Sequence, residues 1–270
     1  MWELERSSSD KPGCSLLAVI GRGRLGTAIA AALRDAGFDV RGPLGRNADP
    51  AGADAILLCV PDGAISDVAA QIPAGPLLGH CSGATGLDAL APHEAFSLHP
   101  LMTVTEAGAA FAGAGAAIAG TSDRALALAG ELARALGLIA VEIAEADRAA
   151  YHAAASIASN FLVTLEAAAE RIAATAGADR ALLAPLVRAT VENWAAMGPE
   201  RALTGPVARG DEATVARQRA AVVGRASELL PLFDALVEAT RTLAREGSVA
   251  REGSVAREGS MAREGEGAPA

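Results

Sequence analysis

Residues 15–26 read Ser15-Leu16-Leu17-Ala18-Val19-Ile20-Gly21-Arg22-Gly23-Arg24-Leu25-Gly26, a short apolar run that breaks into Gly-x-Gly-x-x-Gly. The run Leu16–Ile20 predicts a buried strand, and Thr27–Leu33 (TAIAAAL) predicts the helix that follows it. A strand turning into a helix on three glycines lets the backbone come close to a dinucleotide pyrophosphate. The unpaired N–H groups of the helix start then face the phosphates. The strand and helix on either side carry this reading, because the glycine spacing alone is a weak signal. The competing reading is a structural glycine turn in another kind of α/β domain.

Outward from that turn, the first half of the chain alternates strand and helix. Strands are expected at Phe38–Arg41, Ala55–Val60, Leu77–His80, Ala95–Leu98, Ala116–Ala119 and Ile139–Ile143, with helices over Ala64–Gln71 and Asp123–Leu136. Such alternation implies a doubly wound parallel sheet covered by helices. From about Ala146 the strand pattern stops. Asp147–Ala176 reads as one long helix, followed by helices at Asp179–Met197, Asp211–Gly224 and Ala226–Ala244. The expected organisation is a loose tail at 1–13, a nucleotide-binding domain at 14–146, a helical substrate and dimerisation domain at 147–244, and a tail at 245–270.

That last tail carries four imperfect copies of a six-residue unit, an apolar residue followed by Ala-Arg-Glu-Gly-Ser, from Leu243 to Glu266. An apolar residue every six positions turns about 600° around a helix of about 100° per residue, so the apolar residues share no face. Glycine in every unit weakens helix further. The tail is therefore expected to be a disordered repeat without catalytic role.

Composition narrows the function classes. Hydrophobic residues make up 51% and aromatics 3%, so the core is built from Ala, Leu, Val and Ile. A net charge of −9 argues against a nucleic-acid binder, which would show a basic face. No apolar run approaches the ~20 residues of a membrane helix. The first 13 residues lack the apolar segment of a secretory signal. The three cysteines, Cys14, Cys59 and Cys81, lack metal-ligand spacing and read as reduced core thiols of a cytoplasmic protein. Lys11 is the only lysine among 23 basic residues.

An NAD site places an acid about 20 residues beyond the glycine turn. Here Arg41 stands 20 residues after Gly21, and the loop to Asn47 offers Arg41 and Arg46 with no acid before Asp49. Guanidinium matches phosphate with a bidentate fork, so this favours the 2′-phosphate of NADP. Solvated surface arginines are the plain alternative. The expected cofactor contacts are Gly21, Arg22, Gly23, Arg24, Leu25 and Gly26 in the turn, Arg41 and Arg46 beyond it, and Val60, Pro61 and Ser82 after the third and fourth strands.

Three polar groups stand where the chemistry could sit. After the third, fourth and fifth strands come Asp62, His80-Cys81-Ser82-Gly83 and His99-Pro100, at the carboxyl ends that face the ligand crevice of an open sheet. His99 reads either as a site residue or as a hinge that pins its loop, and His93 reads as surface. On the long helix, His152, Ser156 and Ser159 fall within about 60° of one another, with Asn160 at the edge of that face. They line a substrate cleft or pair across a helix interface. In Leu203–Asp211 (LTGPVARGD), Asp211 suits an N-cap and Arg209 a carboxylate clamp.

The stretches GRGRLG (21–26), HCSG (80–83), SLHPL (97–101), YHAAASIASNFLVTL (151–165) and LTGPVARGD (203–211) resemble the Rossmann-like oxidoreductases whose C-terminal half is domain of unknown function 2520. The resemblance covers about residues 15 to 235. It implies a Rossmann-type doubly wound domain followed by an all-helical domain like the C-terminal domain of 6-phosphogluconate dehydrogenase. It implies more distant similarity to pyrroline-5-carboxylate and ketopantoate reductases, and a homodimer formed through the helices. A small branched 2-oxo acid is the substrate this suggests. Ketopantoate reductases and hydroxyacid dehydrogenases use a helix lysine as proton donor, and Lys11 is the only lysine here. His152 stands on that helix as the acid instead.

The resulting expectation is an NADPH-dependent reductase of a small carboxylate-bearing 2-oxo acid. His152 would donate the proton, Ser156 and Asn160 orient the carbonyl, Arg209 hold the carboxylate, and His99 and Ser82 shape the nicotinamide side. An imine reductase and a non-catalytic NADP-binding module are the rival expectations. No metal, nucleic acid or membrane partner is expected.

Overall fold

The computed structural model describes residues 14–45, 48–105 and 108–265. Arg46, Lys11 and the N-terminal tail lie outside the described residues. The chain divides into two compact units, Met1–Phe161 and Leu162–Ala270.

The first unit is built on strands β1 (Leu17–Ile20), β2 (Val40–Leu44), β3 (Ala55–Leu58), β4 (Leu77–His80), β5 (Ala95–Leu101), β6 (Gly115–Gly120) and β7 (Ile139–Glu142). They form one sheet in the order β2-β1-β3-β4-β5-β6-β7. β1, β3 and β4 are buried along their whole length, as parallel strands covered on both faces must be. Alternate residues divide between two apolar layers. Leu17, Val19 and Leu57 join Ile29 and Leu33 of α1 (Arg24–Asp35) and Leu128 and Leu132 of α3 (Asp123–Ala135). Ala18, Ile20, Ile56 and Leu58 join Ile65 and Val68 of α2 (Ile65–Ala69). β4 accommodates Phe96 only because Gly79 has no side chain; a Cβ there would lie 2.4 Å from the ring.

Two features depart from the expected pattern. β5 runs on to Leu101, so His99 lies within the strand, paired with Ala117, instead of following it. β6 is antiparallel to β5, while every other pair in the sheet is parallel. The cause is the connection: among the described residues no helix lies between β5 and β6, so the chain doubles back instead of crossing over.

The sheet is followed by α4 (Arg148–Ser156) and a π turn over Ile157–Phe161, both in the first unit. The expected boundary near 146 thus differs from the division at Phe161, because α4 is bonded to β5. The single helix expected over 147–176 is interrupted by that turn. The second unit holds α5 (Leu162–Ala174), α6 (Arg180–Met197), α7 (Pro199–Ala202), α8 (Glu212–Arg225) and α9 (Leu230–Gly265). Asp179 caps α6 by accepting from the Ala181 and Leu182 N–H groups, and Asp211 caps α8 by accepting from Thr214 N–H at 3.0 Å, as expected for that residue. α9 continues to Gly265, across a repeat expected to be disordered. The Ala, Arg and Glu of each unit are good helix formers and favour continuation where the glycines oppose it.

Candidate functional site

Strand order reverses at β1, with β2 on one side and β3 on the other, and the carboxyl ends at such a point form the ligand crevice of an open α/β sheet. The glycine turn stands there. Gly21 has φ +126°, and a Cβ on it would lie 2.1 Å from the Cys59 carbonyl oxygen. A Cβ on Gly26 would lie 2.1 Å from the Gly21 carbonyl oxygen. These two glycines are packed shut against protein. Gly23, the N-cap of α1, has nothing within 4 Å of its would-be Cβ. The open side of the turn therefore lies at the start of α1, where unpaired N–H groups attract an anion.

Around the turn, Arg22 and Arg24 are exposed and Leu25 is half-buried. Arg22 reaches the end of β2: a Cβ on Gly45 would lie 3.9 Å from its guanidinium carbon. Arg41 is exposed on β2, and one of its N–H groups donates to the Ala51 carbonyl. Arg34 donates to the Val40 and Gly42 carbonyls and pins β2. Val60 and Pro61 follow β3, half-buried and exposed respectively. The Ser82 hydroxyl is buried and accepts from the Ala84 and Thr85 N–H groups at 3.1 and 2.9 Å, which shapes the loop after β4.

A second cluster gathers at the ends of β4 and β5 beneath α4. His80 is fully buried. Its Nδ1 accepts from Ser82 N–H at 3.2 Å, so Nε2 carries the proton it gives to the Gly86 carbonyl at 3.3 Å. That arrangement keeps the ring neutral, and burial pushes its pKa down. His99 Nδ1 lies 2.8 Å from the Tyr151 hydroxyl, and the two rings meet edge-on. The His152 ring is 6.3 Å from the His99 ring. Gly83 fits against both imidazoles; a Cβ on it would meet His99 at 2.7 Å and His152 at 2.9 Å. Burial first, then neighbouring His152, lowers the His99 pKa to about 4, so His99 is neutral at physiological pH. Burial raises the Tyr151 pKa, opposed by a backbone hydrogen bond from Ala117.

α4 is held over this cluster by Arg148, which is buried. Its Nη2 donates to Ser97 Oγ at 3.1 Å, and its Nε donates to both Glu145 carboxylate oxygens at 3.2 Å. The hydrogen bonds from Arg148 hold the Glu145 carboxyl below its usual range. Ser97 and His99 alternate on β5 while Arg148 and Tyr151 lie one turn apart on α4, so strand and helix meet in two matched rungs.

Of the expected catalytic residues, the structure brings His99 and His152 together. Ser156 ends α4, half-buried, and Asn160 is exposed within the π turn. The π turn takes extra residues per turn, so it breaks the single helical face expected for 152–160. Arg209 is exposed in the second unit. His93 is half-buried and bonds the Ala69 carbonyl at 3.2 Å, a structural contact. Arg148, Glu145 and Ser97 are absent from the expected site, and Tyr151 opens the expected constellation on the helix without a role assigned to it. The spacing of Arg148, Tyr151 and His152 at i, i+3 and i+4 was the available signal. Among the described residues, no group of His, Cys, Asp and Glu could hold a metal, and no helix is long and apolar enough to cross a membrane.

Residues 115–240, from β6 into α9, match the family model of a domain of unknown function, DUF2520. No curated protein matches the chain. Among solved structures, the chain is similar to BF3122, a candidate NADP oxidoreductase from Bacteroides fragilis, at 18% identity and a TM-score of 0.73, covering 86% of this chain and 100% of that one. It is similar to protein TM1727 from Thermotoga maritima at 25% identity and a TM-score of 0.71, covering 85% and 98%. An imine reductase from Streptomyces aurantiacus aligns at 16% identity with a TM-score of 0.62, covering 86% and 95%. With its doubly wound sheet and glycine turn the chain has a Rossmann-like fold, and its residues 115–240 match the DUF2520 model.

Proposed function

We propose that the chain is a cytoplasmic NADPH-dependent reductase of a small carboxylate-bearing 2-oxo acid, similar to ketopantoate. The observation that carries this reading is the pairing of two features at the carboxyl end of the sheet: a glycine turn open at the start of α1, and the His99–Tyr151–His152 cluster at the ends of β4 and β5. The open turn fits a pyrophosphate. Arg41, with Arg22 beside Gly45, supplies guanidinium for a 2′-phosphate. BF3122, described as a candidate NADP oxidoreductase, supports the choice of coenzyme.

NADPH would supply the hydride. His152 delivers a proton to the oxygen that becomes the hydroxyl. His99, held neutral, adds no positive charge beside it and keeps the His152 ring in place through Gly83. Ser156 and Asn160 orient the carbonyl.

The test has two parts. Calorimetric titration is expected to show NADPH binding at least about ten times tighter than NADH, a difference of ~1.4 kcal/mol, with most of it lost in Arg41→Ala. NADPH oxidation with ketopantoate is expected to drop about 100-fold or more in His152→Ala, the usual worth of a general acid. Equal nucleotide affinities, or undiminished turnover in the variant, refute the respective assignment.

One observation favours imine reduction as a second reading. Arg148, the buried cation near the cluster, is committed to Glu145 and Ser97, while Asp62 bears electrostatically on both His80 and His99. That surrounding suits a cationic iminium, which needs less acid assistance. Pyrroline-5-carboxylate reduced faster than ketopantoate in the same assay decides for it.

We also propose a homodimer. α6 exposes Leu182 and Leu186 one turn apart, with Val191 and Trp194 farther round the helix, apolar side chains that a partner would cover. Sedimentation equilibrium at micromolar concentration is expected to give twice the chain mass; a monomer mass refutes it.

A further inference from the structure

We propose that Cys59 and Cys81 form a redox modification site that closes to a disulfide under a peroxide oxidant and thereby weakens nucleotide binding at the glycine turn. The coupling to the nucleotide rests on the proposed coenzyme site; the disulfide itself does not.

Cys59 follows β3 and Cys81 follows β4, and the residues before them, Leu58 and His80, are register partners. The Cys81 N–H still donates to the Leu58 carbonyl at 3.2 Å, so the strands remain paired at the cysteines. Paired strands lie about 4.8 Å apart, within the roughly 4.4–6.8 Å between Cα atoms that a disulfide requires. The two sulfurs are 3.6 Å apart, so both side chains point the same way. Bonding would bring them to about 2.05 Å without separating the strands. All three cysteines are free thiols.

The two sulfurs have different parts. Cys59 is half-buried and Cys81 is buried, so an oxidant reaches Cys59 first. The Cys59 sulfur attacks one peroxide oxygen, the O–O bond breaks, and water leaves, giving a sulfenic acid. The Cys81 sulfur then attacks the Cys59 sulfur, displacing the hydroxyl as a second water as its own proton leaves. Two thiols lose two electrons and one hydrogen peroxide becomes two waters. Contact with Cys59, together with burial, pushes the Cys81 thiol up, so little of it is thiolate when it attacks. An external dithiol reverses both by exchange.

The link to the turn is steric. A Cβ on Gly21 would lie 2.1 Å from the Cys59 carbonyl oxygen, and one on Gly26 would lie 3.1 Å from Cys59 Cβ. Cys59 is thus packed against both closed glycines, and any shift of it moves the turn. Reciprocally, a bound nucleotide opposes the shift.

The experiment treats the full chain with hydrogen peroxide, maps its peptides by mass under non-reducing conditions, and titrates NADPH into reduced, oxidised and dithiothreitol-recovered protein. A Cys59–Cys81 peptide two hydrogens lighter is expected, with the NADPH Kd raised about tenfold and restored by dithiothreitol. Excess NADPH slows the oxidation. Cys81→Ser stops at a singly oxidised Cys59 and retains affinity better than the crosslinked chain. Thiols that resist crosslinking, or a crosslink that leaves Kd unchanged, overturn the proposal. A crosslink in a chain whose reduced form binds neither NADPH nor NADH overturns the coenzyme assignment and the coupling with it.

Discussion

The Tyr151 hydroxyl lies 2.8 Å from His99 Nδ1, joining the first turn of α4 to the end of β5 across 52 residues of chain. The bond fixes the rotation of an imidazole that also faces His152. Tyr151→Phe keeps the ring contact and deletes the hydroxyl. The loss is expected to cost about 1 kcal/mol, the usual net worth of one hydrogen bond. It should appear as a lower urea midpoint with an unchanged slope. Under the proposed reaction kcat also falls, because His99 is free to turn. An unchanged midpoint would show the hydroxyl to be idle.

The low His99 pKa makes stability depend on pH in a defined window. The ring titrates at about 4 in the folded chain, chiefly because it is buried. The unfolded chain takes up that proton near pH ~6.5. Between these values the unfolded state binds more protons, so stability is complete above about pH 6.5 and is lost as pH falls toward 4. His80, also shifted down by burial, adds in the same direction. Thermal melts from pH 8 to pH 4 are expected to show the decline, with roughly 1–3 kcal/mol attributable to His99 at the acid end. His99→Gln should flatten part of the curve. Parallel declines in both proteins would assign the effect elsewhere.

The elements that could be read from sequence were those whose neighbours are local. Leu17–Ile20, Ala55–Leu58 and Leu77–His80 fall in short, mostly apolar runs, and each is a strand. Asp179 and Asp211 precede helices that they cap through their own side chains. What depended on distant partners was hidden. The direction of β6 follows from a helix-free connection, and the extension of β5 through His99 follows from pairing with β6. The π turn at Ile157–Phe161 has no marker in local composition, and it undid the single face drawn through 152–160. In the site, His99 and His152 were legible as titratable groups at a strand end and on an Ala-rich helix. Arg148 was not, because an arginine at a helix start reads as solvated until Ser97 and Glu145 are seen around it.

Gly23 and Gly26 differ in role, although both belong to the motif. A Cβ at Gly26 would press into the Gly21 carbonyl at 2.1 Å, backbone against side chain, with no flexible group to yield. Gly26→Ala is therefore expected to destabilise the fold by about 2 kcal/mol or more, as overpacking of a closed contact does. A Cβ at Gly23 meets nothing within 4 Å, and its φ of −71° suits any residue. Gly23→Ala should melt within a few degrees of the parent, the modest cost of alanine at an N-cap. If the pyrophosphate uses the open side of the turn, the same variant loses at least about tenfold in NADPH affinity. Calorimetry with a parallel melt separates the two effects. Unaltered affinity in Gly23→Ala would place the phosphates elsewhere.

The ion pair that seats α4 is asymmetric, and the asymmetry predicts unequal costs for its two halves. The Arg148 side chain is 5% exposed and that of Glu145 is 47% exposed. Truncating Glu145 leaves a buried guanidinium facing Ser97 Oγ, and also frees the Leu87 N–H that donates to Glu145 Oε2 at 3.4 Å. An uncompensated buried charge is the costly outcome, so Glu145→Ala should lose about 3 kcal/mol. Arg148→Met removes the charge itself and keeps much of the buried volume. Its leftover carboxylate is half-exposed and hydrates, leaving Ser97 Oγ as the group deprived of its donor, for about 1–2 kcal/mol. Urea unfolding of both variants tests the order. Because Tyr151 and His152 ride on the same helix, Glu145→Ala should also depress ketopantoate-dependent NADPH oxidation more than Arg148→Met does. The reverse order in stability would mean that the carboxylate, not the guanidinium, is the group α4 depends on.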